Sequence, residues 1–153
     1  MASGVESWAL EAGIAIDVRR FSQGTRTAED AAAAIGCSVA QIVKSLVFTV
    51  DGNPVVALIS GADRLDTTRL AAVAGGVVAR ADAHLVRDAT GYSIGGVPPF
   101  GHARPLPVYC DRGLLGHDVV WAAAGRPDTV FPIAPARLVE LSRATVEALA
   151  ASC

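Results

Sequence analysis

Two apolar runs separated by a turn-forming tetrapeptide constrain this chain more than any other feature. Residues 44–50 (Lys-Ser-Leu-Val-Phe-Thr-Val) and 55–60 (Val-Val-Ala-Leu-Ile-Ser) flank Asp51-Gly-Asn-Pro54. Asp-Gly supplies the positive backbone dihedrals of a tight hairpin turn, so the segment is predicted to be a β-hairpin. A strand with one face in water alternates apolar and polar residues, whereas these two are nearly continuously apolar. Both faces of the hairpin must therefore be covered.

Helical and strand patterns alternate through the rest of the chain, with no repeat and no linker. A short helix over 6–12 ends at Gly13, and 14–21 alternates like a strand. Thr27 with Asp30 resembles a capping box for a helix over 28–35, and Gly36 suits a left-handed cap. Asp66 and Asp82 cap two more helices, over 67–74 and 83–90, that end at Gly75-Gly76 and Gly91. Strands follow at 107–111, 119–124 and 129–133, and Pro135 opens a helix through Ser142. The prediction is an α/β fold: one domain over residues 1–153, with a mixed, strongly curved, barrel-like sheet flanked by helices.

Composition narrows the function. A chain of 153 residues, 52% of them apolar, suits one core that buries about two thirds of the unfolded surface. No apolar run approaches the roughly 20 residues needed to cross a bilayer, so a cytoplasmic, membrane-free protein is expected. A formal net charge of −2 argues against coating nucleic acid by charge alone and makes DNA an unlikely partner. It leaves room for local contact with an RNA end through Arg19, Arg20, Arg26, Arg64, Arg69 and Arg104, if folding gathers them. Cys37, Cys110 and Cys153 have no Cys-x-x-Cys spacing and no nearby histidine. They read as reduced thiols, with Cys37 and Cys110 in the core and Cys153 at a frayed end, and neither metal nor other cofactor is expected.

Two features invite a chemical reading. Of thirteen basic side chains twelve are arginine, and the one lysine, Lys44, opens the first hairpin strand. An ammonium group is a compact charge with rotatable donors, unlike the planar guanidinium fork. Lys44 is thus either a site residue or a surface lysine lying along a strand edge. The second feature is Gly91-Tyr-Ser-Ile-Gly-Gly-Val-Pro-Pro-Phe-Gly-His102, where glycines permit close backbone approaches and Pro98 and Pro99 stiffen the path. Such a loop either connects two elements rigidly or aims consecutive amides at an oxygen.

Five blocks in order, Gln41-Ile-Val-Lys-Ser-Leu-Val-Phe48, Ser60-Gly-Ala-Asp-Arg-Leu-Asp66, Gly91 to His102, Val108-Tyr-Cys-Asp111 and Val120-Trp-Ala-Ala-Ala-Gly125, resemble the YbaK family. That family includes the editing domain of bacterial prolyl-tRNA synthetases and its free-standing relatives. The resemblance implies a curved mixed sheet and deacylation of mischarged transfer RNA. It implies that Lys44 binds the terminal adenosine or the aminoacyl end, and that the backbone from Gly95 through Gly96 to Pro99 holds the ester carbonyl. The expected partner is a tRNA acceptor end, with an aminoacyl-tRNA synthetase as a further one.

The remaining candidates are open between site and scaffold. Ser60, Gly61, Asp63 and Arg64 follow the second hairpin strand and border a ligand or not. Ile42, Leu46, Val47, Phe48, Ile94, Val97 and Phe100 are either pocket walls, with Pro98 and Pro99 beside them, or core. His102 lines the pocket, acts as a base, or caps backbone groups. Asp111 orients a pocket group or forms a turn. The expected function is a trans-editing hydrolase that cleaves a small amino acid from the 3′-terminal adenosine. The alternative is a non-catalytic module that grips an acceptor end or nucleotide alongside a synthetase.

Overall fold

In the computed structural model, residues 4–21 and 27–151 are described. Arg26 and Cys153, named above, lie outside the described residues. In chain order the elements are α1 (Gly4–Glu11), β1 (Arg19–Arg20), α2 (Ala28–Ile35), β2 (Ile42–Val50), β3 (Asn53–Ser60), α3 (Thr67–Ala74), β4 (Val78–Arg80), α4 (Ala83–Thr90), β5 (Val108–Asp111), β6 (Val120–Ala123), β7 (Thr129–Ile133), α5 (Pro135–Ser142) and β8 (Thr145–Glu147), with short 3-10 turns at Val39–Gln41 and Arg112–Gly116.

The predicted caps form. Thr27 accepts from the Asp30 amide, Asp66 from Thr68 and Arg69, and Asp82 from Leu85. The hairpin is tighter than predicted: Asp51 and Gly52 have φ of 51° and 84°, and Asn53 pairs with Val50. The turn is therefore two residues long, and Asn53 and Pro54 join the strand. The Gly61 amide donates to Ile42 O, which sets the ladder's phase and makes Pro54–Thr49 a non-hydrogen-bonded pair. Pro54 thus removes no ladder bond.

The sheet is mixed, in the order β1-β7-β6-β2-β3-β5-β8, with β4 added to β2. Alternation along the hairpin sends side chains to both faces, as its apolar runs require. Val43, Val56 and Leu58 join the main core with Cys110, Phe131 and Leu138 of α5. On the other face Ile42 packs on Ala31 and Ala32 of α2, and Ala57 on Leu70 of α3.

Two details differ from the sequence reading, whereas the cysteines follow it. Of residues 14–21 only Arg19 and Arg20 are in a strand, opposite Val130 and Thr129; Ile16 and Val18 find no ladder partner and pack on the core. β4 and β8 were not foreseen, since three-residue strands are too short to show alternation and exist because a neighbouring edge was free. Cys110 is buried, and burial together with Asp111 pushes its thiol up to about 12; Cys37 is half-buried and also raised by desolvation. Both are held as thiols rather than reactive thiolates.

One topological detail creates the site. β2 shares a single edge between two strands: Ile42 and Val43 pair with Trp121 and Ala122 of β6, whereas Phe48, Thr49 and Val50 pair with β4. Among the described residues, no strand lies beside residues 44–47 on that edge. By the ladder phase, the outward backbone groups in this gap belong to Ser45 and Val47.

Candidate active site

Lys44 stands at the mouth of this gap. Its face of β2 also carries Ile42 under α2 and Phe48 near α3, so the lysine emerges between two helices. Its Nζ donates to the carbonyl oxygen of Asp63 at 2.6 Å. Ser60 builds the turn that presents that carbonyl: its buried hydroxyl donates to Ala40 O and accepts from Ala62 N, and Asp63 N donates to Ser60 O. Gly61 allows α2 to approach, since a Cβ there would lie 2.6 Å from Ala28 Cβ and 2.7 Å from Val39 O.

The opposite wall is the glycine-proline loop. Val97, Pro98 and Phe100 are buried, with Phe100 between Trp8 and Phe131 at ring-centroid distances of 4.9 and 5.6 Å. His102 Nε2–H donates to Pro98 O at 2.7 Å, and burial pulls its pKa below the ordinary 6.5. The loop is thus anchored from behind, with Gly95 at φ +93° on the cleft side. The Gly96 amide donates to Ser93 O. A Cβ at Gly96 would approach the Arg126 backbone within 3.1 Å. Among the described residues the amides of Gly95 and Val97 have no protein acceptor.

Between these walls lies a cleft of about 390 Å³ whose lining includes Lys44, Gly61, Ile94, Gly95, Val97 and Trp121. A second, more apolar chamber of about 350 Å³ shares Ser45, Leu46, Ile94 and Val97 with it and adds Val47, Phe48, Val86 and, as its one charged residue among the described residues, Arg80. The Ser45 hydroxyl is buried without a hydrogen-bond partner. On the far side of Lys44 a third concavity is lined by Arg64 and Arg80 as well as the lysine. Neither arginine has an ion pair among the described residues.

The tertiary structure thus sorts the predicted residues. Lys44, Gly61, Ile94, Gly95 and Val97 share the main cleft, and Arg64 joins Lys44 next door. Pro98, Pro99, Phe100 and His102 are not in its lining: Pro98 is buried, Pro99, Phe100 and His102 border a separate groove behind the loop, and His102 serves as a loop brace. Ser60 is a turn brace. Asp111 is buried, accepts from the amides of Gly113, Leu149 and Ala150, and so ties β5 to the C-terminal segment; it is not in the cleft lining. Residues missed from sequence are Thr27, Ala28 and Glu29 of the α2 start, and Trp121, Ala123 and Val130. Nothing local marks them as site residues, because each enters the cleft through the β2–β6 and β6–β7 pairings or the α2–Gly61 contact.

Similarity to known proteins agrees with this geometry. The description "Aminoacyl-tRNA editing domain" belongs to a family model that matches residues 22–141. A crystal structure of a candidate trans-editing enzyme for prolyl tRNA synthetase superposes with a TM-score of 0.92 at 41% identity, covering 99% of both chains. The candidate Cys-tRNA(Pro)/Cys-tRNA(Cys) deacylase EbsC of Enterococcus faecalis is 30% identical over 127 residues, 80% of this chain and 76% of that one. Proline–tRNA ligase of Maridesulfovibrio salexigens is 33% identical over 107 residues, 69% of this chain but only 18% of the ligase, so the chain spans about a fifth of such synthetases. No helix among the described residues is long and apolar enough to cross a membrane. The chain belongs to the YbaK-type aminoacyl-tRNA editing domain family.

Proposed function

We propose that the chain acts as one trans-editing unit in the cytoplasm, a deacylase that removes a small amino acid from the 3′-terminal adenosine of a mischarged transfer RNA. The observation that carries this reading is that Lys44 and Gly95, 51 positions apart (95 − 44), line one cleft. The ester carbonyl is held at the free amides of Gly95 and Val97, where Gly96 is spent on its own turn. Water attacks the carbonyl carbon, negative charge collects on the carbonyl oxygen, and the bond to the ribose oxygen breaks with that oxygen taking a proton. One well-placed donor is worth about 3 kcal/mol in such a step.

Lys44 contributes positive charge at the ribose or phosphate side, and its bond to Asp63 O fixes where that charge stands. The concavity with Arg64 and Arg80 continues from Lys44 and has no acidic residue in its lining among the described residues, which suits the phosphates of an acceptor end. The two-chambered, largely apolar interior suits selection by side-chain size, worth about 1 to 3 kcal/mol per methylene.

The test is deacylation of alanyl-, cysteinyl-, seryl- and threonyl-tRNA by the wild type and Lys44→Ala. Cleavage of at least one substrate, with the variant folded but impaired, is expected. Tight binding of tRNA with no turnover of any of the four would instead support a binding module.

A further inference from the structure

We infer that Glu29 is the counter-ion for a free α-ammonium group, which makes the substrate class aminoacyl esters with an unblocked amine. This rests on the reading of the cleft as an ester-hydrolysing site. Only two ionisable side chains line the cleft among the described residues, Lys44 and Glu29, and they carry opposite charge. They come from different elements, β2 and the first turn of α2, and Gly61 lets α2 close on the cleft.

The two charges differ in what occupies them. The Lys44 ammonium already donates to Asp63 O. The Glu29 carboxylate has neither an ion pair nor a side-chain hydrogen bond among the described residues, whereas Arg19, Arg20, Arg69, Arg104, Arg126 and Arg137 each stand on a carboxylate.

An α-amino ester brings the complementary charge. Its ammonium is one carbon away from the carbonyl, so a carbonyl held at the Gly95 loop keeps the ammonium in the same cleft. Glu29 is the anionic side chain in the lining, and as an exposed residue it stands open to receive that ammonium. An N-acylated aminoacyl end has no charge to offer and gains nothing from the carboxylate. Glu29 therefore separates a single esterified amino acid from a blocked or peptidyl one.

The experiment uses two ligands that cannot be hydrolysed, 3′-alanylamino-3′-deoxyadenosine and its N-acetyl form, titrated calorimetrically into the wild type and Glu29→Gln. The wild type is expected to favour the free amine by about fivefold, and Glu29→Gln to bring the ratio to within about twofold. Equal wild-type affinities, no binding of either ligand, or an unchanged ratio in the variant overturns the inference. Circular dichroism checks that α2 persists in the variant. The measurement needs no turnover, so loss of the deacylase reading and loss of the Glu29 role give different results.

Discussion

The ammonium nitrogen of Lys44 donates to the carbonyl oxygen of Asp63 across 2.6 Å, from a strand to the turn that follows its hairpin partner. The bond selects lysine over arginine: a single compact donor fits one carbonyl, whereas a planar fork seeks two acceptors. Lys44→Ala is expected to lower single-turnover deacylation by about 100-fold. Lys44→Arg, which keeps the charge, should recover little of it. Full activity in the arginine variant would show that charge alone suffices.

Gly61 sets the distance between α2 and the hairpin. A methyl group there meets Ala28 Cβ at 2.6 Å and Val39 O at 2.7 Å, neither of which is a flexible chain end. Gly61→Ala should cost about 2 kcal/mol in urea unfolding by overpacking. It should also weaken substrate binding, because the displaced helix carries one wall of the cleft.

Asp111 tests the separation of scaffold from site. Three amides end on its buried carboxylate. Asp111→Ala leaves them unpaired and should cost about 3 kcal/mol of stability. Activity per folded molecule should hold, read as kcat/KM at a temperature where the variant remains native. A large loss of kcat/KM in fully folded protein would place Asp111 in the chemistry after all.

His102 should make stability depend on pH. Burial lowers its pKa in the folded state, outweighing the Pro98 carbonyl that favours the charged ring. The unfolded chain binds the proton more readily, so this contribution is complete above about 6.5 and is lost as pH falls from there through the folded value. Denaturant midpoints between pH 5 and 7.5 should fall on the acid side for the wild type. His102→Gln, which keeps a donor for Pro98 O, should flatten that part of the profile.

Much of the architecture was legible because it is encoded locally. The apolar hairpin runs, the carboxylate and hydroxyl caps and the left-handed glycines are short-range physics, and they recur at the predicted places in α2, α3 and α4. The short strands β4 and β8 were not legible, since a three-residue strand is defined by its neighbour. The same limit applied to the site: Lys44 and the glycine-proline loop stood out by composition, whereas Glu29 and Trp121 look ordinary in their own segments.

The amino-acid sequence by itself determined that a two-faced hairpin had to be buried, that one ammonium group would sit at its edge, and that a stiffened loop would follow the fourth helix. Only the tertiary structure decided that these meet, because the gap on the β2 edge arises from which strands pair with each end of β2. It also decided which polar residues face that gap and which are consumed in bracing the fold, as Ser60, His102 and Asp111 are. Hydrogen-bond partners distant in the chain are chosen by the fold, and no local pattern carries that choice.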